Sequence, residues 1–141
     1  VPSITRQIAA DLRRHEGEVL HAYQDHRGNW TIGIGRLIDE RRGGGITPDE
    51  AEYLLVNDID RRAAELQKRK AFRDAPRPVK RALLNMAFQL GFNGLLGFTK
   101  MWQALERRDY DTAATEALDS KWASQTPTRA NEVAGWIRSA A

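Results

Sequence analysis

Glu16 and Asp25 stand nine residues apart, on either side of Gly17 and just ahead of the run Thr31-Ile32-Gly33-Ile34-Gly35. One carboxylic acid to protonate a leaving oxygen, and a second carboxylate on the other face of a sugar ring, are what cleavage of a glycosidic bond through an oxocarbenium-like transition state requires. The pair alone is weak, because 19 acidic residues among 141 produce such spacings by chance. The elements that must position the two carboxyl groups carry the argument.

Ser3 is suited to cap a first helix whose apolar residues Ile4, Ile8 and Leu12 recur every four positions, which places Glu16 in its last turn before Gly17. A carboxylate there faces the negative end of the helix dipole, which favours the protonated acid. From Gly17 to Leu37 the period shifts toward two. Tyr23 precedes Asp25, and His26-Arg27-Gly28-Asn29 is turn chemistry ahead of Trp30-Thr31-Ile32-Gly33-Ile34-Gly35. This predicts a small antiparallel hairpin or three-stranded sheet. Along one strand, Trp30, Ile32 and Ile34 would share a packed face, while Thr31, Gly33 and Gly35 would leave the other open to a ligand. A bulge or tight backbone crossing is the alternative reading of those glycines.

Arg41-Arg42-Gly43-Gly44-Gly45 is a loop without the lysine and serine or threonine of a phosphate-binding loop. Thr47-Pro48-Asp49-Glu50 reads as a helix start with a capping box, opening a long helix to about Lys70 whose apolar positions suit a link between two lobes. Pro76 and Pro78 break the pattern. Helices then follow from Val79 to Leu90, from near Asn93 to Leu105 with a join around Gly94 and Gly97, from Asp109 to Ser120, and from Thr128 to about Ser139, the last capped and opened by Thr126-Pro127. The fold class is α+β. A small N-terminal antiparallel sheet lobe (about 17–46) is joined by a long helix (about 47–70) to a helical C-terminal lobe (about 71–141, plus the N-terminal helix), all within a single domain, 1–141.

Composition narrows the chemistry. There is no cysteine, which removes disulfides, thiolate metal sites and cysteine nucleophiles. His15, His21 and His26 lack the helical spacing of a metal site and read as solvated. The chain carries 22 basic against 19 acidic residues, and its arginines come in pairs at 13–14, 41–42, 61–62 and 107–108. That surface suits a polyanion, including an anionic bacterial envelope. The pairs are scattered and form no recognisable nucleic-acid module, so no specific nucleic-acid partner is expected, and most of these arginines read as solvated helix faces. No apolar run is long enough for a membrane span. The chain opens Val1-Pro2, which leaves an upstream signal or anchor open.

Taken in order, His15-Glu16-Gly17, Tyr23-Gln24-Asp25 and Gly28 to Gly35 resemble the bacteriophage lysozymes of glycoside hydrolase family 24. The likeness continues through Ile46 to Glu52, Asn85 to Gly91, Gly97-Phe98-Thr99 and Ser120 to Ala130, nearly the whole chain. The resemblance implies a lysozyme-like fold and an endolysin: a muramidase cutting the β-1,4 bond between N-acetylmuramic acid and N-acetylglucosamine of peptidoglycan, with inversion. It implies Glu16 as general acid, Asp25 as the carboxylate that activates or orients water, and Thr31 as the hydroxyl holding that water. Leu37, Phe88 and Gln89 would meet the sugars, Phe98 and Trp122 would line the cleft or fill the core, and Arg129 would support the site near Glu16. No metal or organic cofactor is implied, peptidoglycan is the partner, and a monomer is the default. The implied place of action is the cell wall or periplasm, after a stay in the host cytoplasm that ends in lysis.

Two departures from the family stand out. The stretch between Gly35 and Thr47 is shorter than in the best-known members. The family's histidine after the second glycine is Arg36, which is expected to pair with Asp58. A muramidase domain within a secreted antibacterial toxin, and a non-catalytic wall-binding domain, are the competing readings. Intact Glu16, Asp25 and Thr31 weigh against the second.

Overall fold

The protein is described by a computed structural model covering residues 3 to 141, with the side chain of Ser3, the expected first cap, outside the described residues. The chain divides into two compact units, one up to Glu52 and one from Tyr53 to Ala141.

In the first unit, helix α1 spans Ser3–Glu16 and closes on Arg13, Arg14 and His15, basic residues that complement the negative end of its dipole. Ile4, Ile8 and Leu12 are exposed. The expected three-stranded sheet is present, formed by β1 (Val19–Gln24), β2 (Trp30–Gly33) and β3 (Arg36–Leu37), antiparallel and in that order. Tyr23 stands opposite Thr31, and Thr31 opposite Leu37.

The strand does not run on to Gly35. Gly33 and Gly35 take φ of 70° and 77°, left-handed values that only glycine adopts without strain, so Ile34-Gly35 turns the chain from β2 into β3. This overturns the alternating-face reading. The glycines serve a turn rather than an open ligand face, Trp30 is half exposed instead of packed, and Thr31 is the buried residue at 3% exposure. Thr31 tolerates burial because its hydroxyl is satisfied, donating to the Asn29 carbonyl at 2.9 Å.

The loop after β3 folds on Asp39, whose carboxylate takes the Arg41 backbone N–H at 3.0 Å and its guanidinium at 2.6 Å. A Cβ on Gly44 would stand 2.4 Å from the Asp39 carbonyl oxygen, so a side chain at 44 does not fit. Helix α2, Pro48–Leu66, starts at the expected capping box. The Glu50 N–H donates to Thr47 Oγ1 at 3.2 Å, and the Thr47 N–H donates to Glu50 Oε1 at 2.9 Å. It ends at Leu66 rather than near Lys70, because Lys68 and Arg69 tighten into bonds to the carbonyls of Glu65 and Leu66.

The second unit continues with α3 (Lys70–Arg73), α4 (Arg77–Leu96), α5 (Thr99–Glu106), α6 (Tyr110–Leu118), α7 (Lys121–Gln125) and α8 (Pro127–Arg138). Pro76 stands just before α4 and Pro78 lies in its first turn, where the missing N–H costs nothing, so the helix starts two residues before Val79. It is interrupted at Gly91 (φ 77°, ψ 166°), just after the expected end at Leu90, and closes at Gly97, within the expected join. The five-residue α7, absent from the sequence reading, is capped by Ser120, whose Oγ accepts the Ala123 N–H at 3.1 Å. Pro127 opens α8 as expected, but Thr126 does not cap it; its hydroxyl donates to the Trp122 carbonyl at 2.9 Å.

Phe72, Leu66, Leu83, Met86, Leu95, Met101, Leu105 and Ile137 are buried in one core. Ala113, Ala114 and Ala117 on α6, with Ala130 and Ala134 on α8, are fully buried and let these two helices pack closely.

Candidate active site

Glu16, Asp25, Thr31 and Leu37 all belong to the first unit. Glu16 is the last residue of α1, as its spacing predicts, and its side chain is exposed. Asp25 directly follows β1 and closes a tight turn. Its N–H donates to the Asn29 carbonyl at 2.9 Å, and its carbonyl accepts from the Gly28 N–H at 2.9 Å. Its carboxylate oxygen Oδ1 accepts two further backbone N–H groups, from Arg27 at 2.9 Å and Asn29 at 2.8 Å. The Asn29 N–H does most to lower the Asp25 pKa, helped by the Arg27 N–H and the nearby charge of His26 against some desolvation, so this carboxyl stays ionised.

Asn29 ties the second candidate to the third. Its N–H holds the Asp25 carboxylate, while its carbonyl accepts the Thr31 hydroxyl proton. With that proton committed, Thr31 Oγ1 faces any further partner as an acceptor. The sequence marks Asn29 as a turn residue only. The larger part of its role belongs to its main chain, which residue type does not reveal.

Glu16 packs over the turn between β2 and β3. A Cβ built on Gly35 would lie 3.4 Å from Glu16 Oε2 and 3.5 Å from its Cδ. Gly35 thus borders the Glu16 side chain, with no backbone crossing there. Arg36, next in the chain, finds its partners within the first unit. Its guanidinium donates to Glu50 Oε1 at 2.9 Å and to the Gly45 carbonyl at 3.1 Å, while Asp58 pairs with Arg61 one helical turn away. The cause is local. Glu50 is already drawn to the N-terminus of α2 by the capping box, next to the end of the loop that Arg36 reaches. That pairing, with the Thr47 N–H, holds the Glu50 carboxyl at about 2.

The other candidates belong to the second unit. Phe88 is exposed, with an open ring. Gln89, a polar residue in an apolar stretch, finds its partner in Trp122, whose indole N–H donates to Gln89 Oε1 at 2.8 Å. Trp122 is a core residue, 4% exposed and edge-to-face with Phe98 at 6.0 Å. Arg129 grips Asn85 through both the side-chain oxygen (2.9 Å) and the backbone carbonyl (3.3 Å). Among the described residues no group of three or more His, Asp or Glu side chains is placed to hold a metal ion. No helix among them is long and apolar enough to cross a membrane.

Residues 13–138 match the model of the phage lysozyme family. The chain belongs to the phage lysozyme family. It is accordingly a glycoside hydrolase of lysozyme type. Its relatives include the probable T4-type lysozyme 1 of Dictyostelium discoideum, 30% identical over 86% of this chain and 88% of that one. An endolysin of Acyrthosiphon pisum secondary endosymbiont phage 1 is 32% identical over 79% of this chain and 73% of its own. The pre-baseplate central spike protein Gp5 of Enterobacteria phage T4 is 32% identical over 89% of this chain but only 26% of its own, so there a lysozyme-like segment sits within a much longer protein.

Proposed function

We propose that this lysozyme cuts the β-1,4 bond between N-acetylmuramic acid and N-acetylglucosamine in peptidoglycan, with inversion at the anomeric carbon, and that it serves host-cell lysis from within the cell wall. Glu16 is the general acid and gives its proton to the glycosidic oxygen as the C–O bond breaks. Asp25 is the base: it takes a proton from the water that attacks the anomeric carbon from the opposite face. Thr31 accepts the water's second hydrogen, so the two acceptors aim its lone pair at the sugar.

The observation that supports these roles is the Asn29 bridge. The Asn29 N–H, with that of Arg27, holds Asp25 Oδ1, and the Asn29 carbonyl takes the Thr31 proton, which leaves both Asp25 and Thr31 as acceptors. Backbone hydrogen bonds keep the Asp25 carboxyl ionised, as its role as base requires, while Glu16 is the last residue of α1. Leu37, Phe88 and Gln89 are assigned to the saccharide and Arg129 to site support. Gln89, with its oxygen held by Trp122, offers its amide hydrogens to a sugar.

Turbidity loss of purified peptidoglycan, comparing the chain with Glu16→Gln at matched folding, tests the assignment. Lysis by the parent and a loss of about a hundredfold or more in the variant supports it. Equal lysis by both puts the acid elsewhere. Wall sedimentation without lysis by either makes the chain a binding module. Proton NMR of the first reducing ends released distinguishes inversion from retention.

A second reading places the same enzyme in a larger particle or toxin. The Gp5 match favours it as context, and it leaves the chemistry unchanged.

A further inference from the structure

The second unit carries a concavity that the hydrolase reading leaves unused. About 510 Å³ in volume, it is lined by Lys68, Arg69, Lys70 and Arg108, with Asp74 and Glu106 among them. Four cations against two carboxylates leave a local surplus of two positive charges, in a chain whose whole formal charge is +3. The basic surplus is concentrated here, and a concave wall focuses the field of such a cluster.

Three of the four cations are held in place. Lys70 Nζ lies 2.7 Å from Asp74 Oδ2, and Arg108 reaches the same oxygen at 3.9 Å. Arg69 lays its guanidinium over the Trp102 indole, 4.6 Å from the ring centre, and Trp102 is itself pinned by its N–H donating to the Leu95 carbonyl at 3.0 Å. Cations already ordered by stacking and pairing lose less freedom when they take up a ligand.

Arg108 adds a backbone observation. Its φ of 58° makes it the one non-glycine residue with positive φ among the described residues. It follows the C-cap of α5, where the Arg108 N–H donates to the Leu105 carbonyl at 3.0 Å and the Asp109 N–H to the Ala104 carbonyl at 2.9 Å, a closure that ordinarily takes glycine. An arginine kept against the preference of its own backbone points to work for its side chain, and that side chain lines the pocket. The large apolar members of the wall, Leu105 and Tyr110, are buried, and Ala71 is small, so the wall offers neither a wedge for a bilayer nor an exposed platform for stacked bases.

We propose that this pocket binds the phosphodiester backbone of a polyol phosphate polymer of the glycerol phosphate type, through Lys68, Arg69, Lys70 and Arg108. Such a chain brings regularly spaced anions and flexible linkers into a concave wall, and its binding weakens with salt.

Arg108→Gly supplies the residue the backbone prefers, so the fold survives it. Combined with Lys68→Gln, it removes two pocket cations. Titrated calorimetrically with a poly(glycerol phosphate) oligomer at low salt, that double variant should bind about tenfold more weakly than the parent. A charge-matched control, Arg6→Gln with Lys121→Gln, should stay within about threefold. Equal weakening in both double variants would mean diffuse surface charge and overturn the site. So would absence of binding by the parent, retention on phosphatidylglycerol vesicles without binding to the polymer, or a DNA duplex of matched phosphate number binding as tightly as the polymer. Binding is read without turnover, so failure here leaves the hydrolase assignment intact.

Discussion

Glu16 lies directly against Gly35: a Cβ on the glycine would touch the carboxylate at 3.4 Å, and the glycine's φ of 77° holds the turn that brings it there. Gly35→Ala should lower stability by about 1 kcal/mol, the cost of a left-handed conformation for a residue with a Cβ. It should also slow lysis more than that loss explains, because the added methyl group meets the acid. Thermal unfolding and initial rates at a temperature where both proteins are folded separate the two effects. Parental lysis by the variant would show that Gly35 serves the turn alone.

Asp25 must be ionised to accept a proton from water, and the N–H groups of Asn29 and Arg27 keep it so below its ordinary value of 3.8. The acidic limb of kcat/KM should therefore lie below pH 3.8. Asp25→Asn keeps an oxygen for both N–H groups but loses the base, so it should fold normally and lyse about a hundredfold more slowly or worse. An acidic limb above that value, abolished by Asp25→Asn, would mean that the Asp25 carboxyl is not depressed in the free enzyme.

Arg36 and Glu50 govern acid stability in the first unit. The Glu50 pKa falls from 4.5 to about 2 in the folded chain. A group depressed on folding stabilises above its unfolded value and loses that contribution as pH falls through the folded one, so the window here is from 4.5 down to about 2. The melting temperature should drop across that range, and less steeply in Glu50→Gln. A double-mutant cycle should find coupling between Arg36 and Glu50 and none between Arg36 and Asp58. The reverse result would restore the pairing expected from sequence.

Gln89 satisfies the buried Trp122 indole at 2.8 Å. Gln89→Leu strands that N–H and should destabilise the second unit by about 1–3 kcal/mol, read by denaturant unfolding with tryptophan fluorescence. Trp122→Phe in the Gln89→Leu background should recover part of the loss, since the orphaned donor disappears. If Gln89→Leu costs nothing, water reaches the indole and the pair is not structural.

Interactions closed within a few residues were legible in the chain. Thr47 and Glu50 form their capping box, α1 ends at Glu16, and the turn after Asp25 forms as its residues dictate, because partners three or four positions apart meet whenever the local conformation is adopted. The order of carboxylate, carboxylate and hydroxyl was legible for the same reason.

Choices among partners distant in sequence were not. Arg36 had two acidic residues within reach of its chemistry, and the position of the loop end decided for Glu50. Gln89 required a partner, but only the packing of α7 against the rest of its unit named Trp122, 33 residues away. Thr31 and Trp30 exchanged their expected burial, and two positive φ values ended the strand at Gly33, backbone facts that residue alternation does not encode. Asn29 acquired its place at the site chiefly through its main-chain N–H and carbonyl, which every residue but proline possesses in full. Residue types state which bonds are chemically permitted; only the tertiary structure brings particular groups within hydrogen-bonding distance, and these interactions decay too steeply with distance for anything else to select among them.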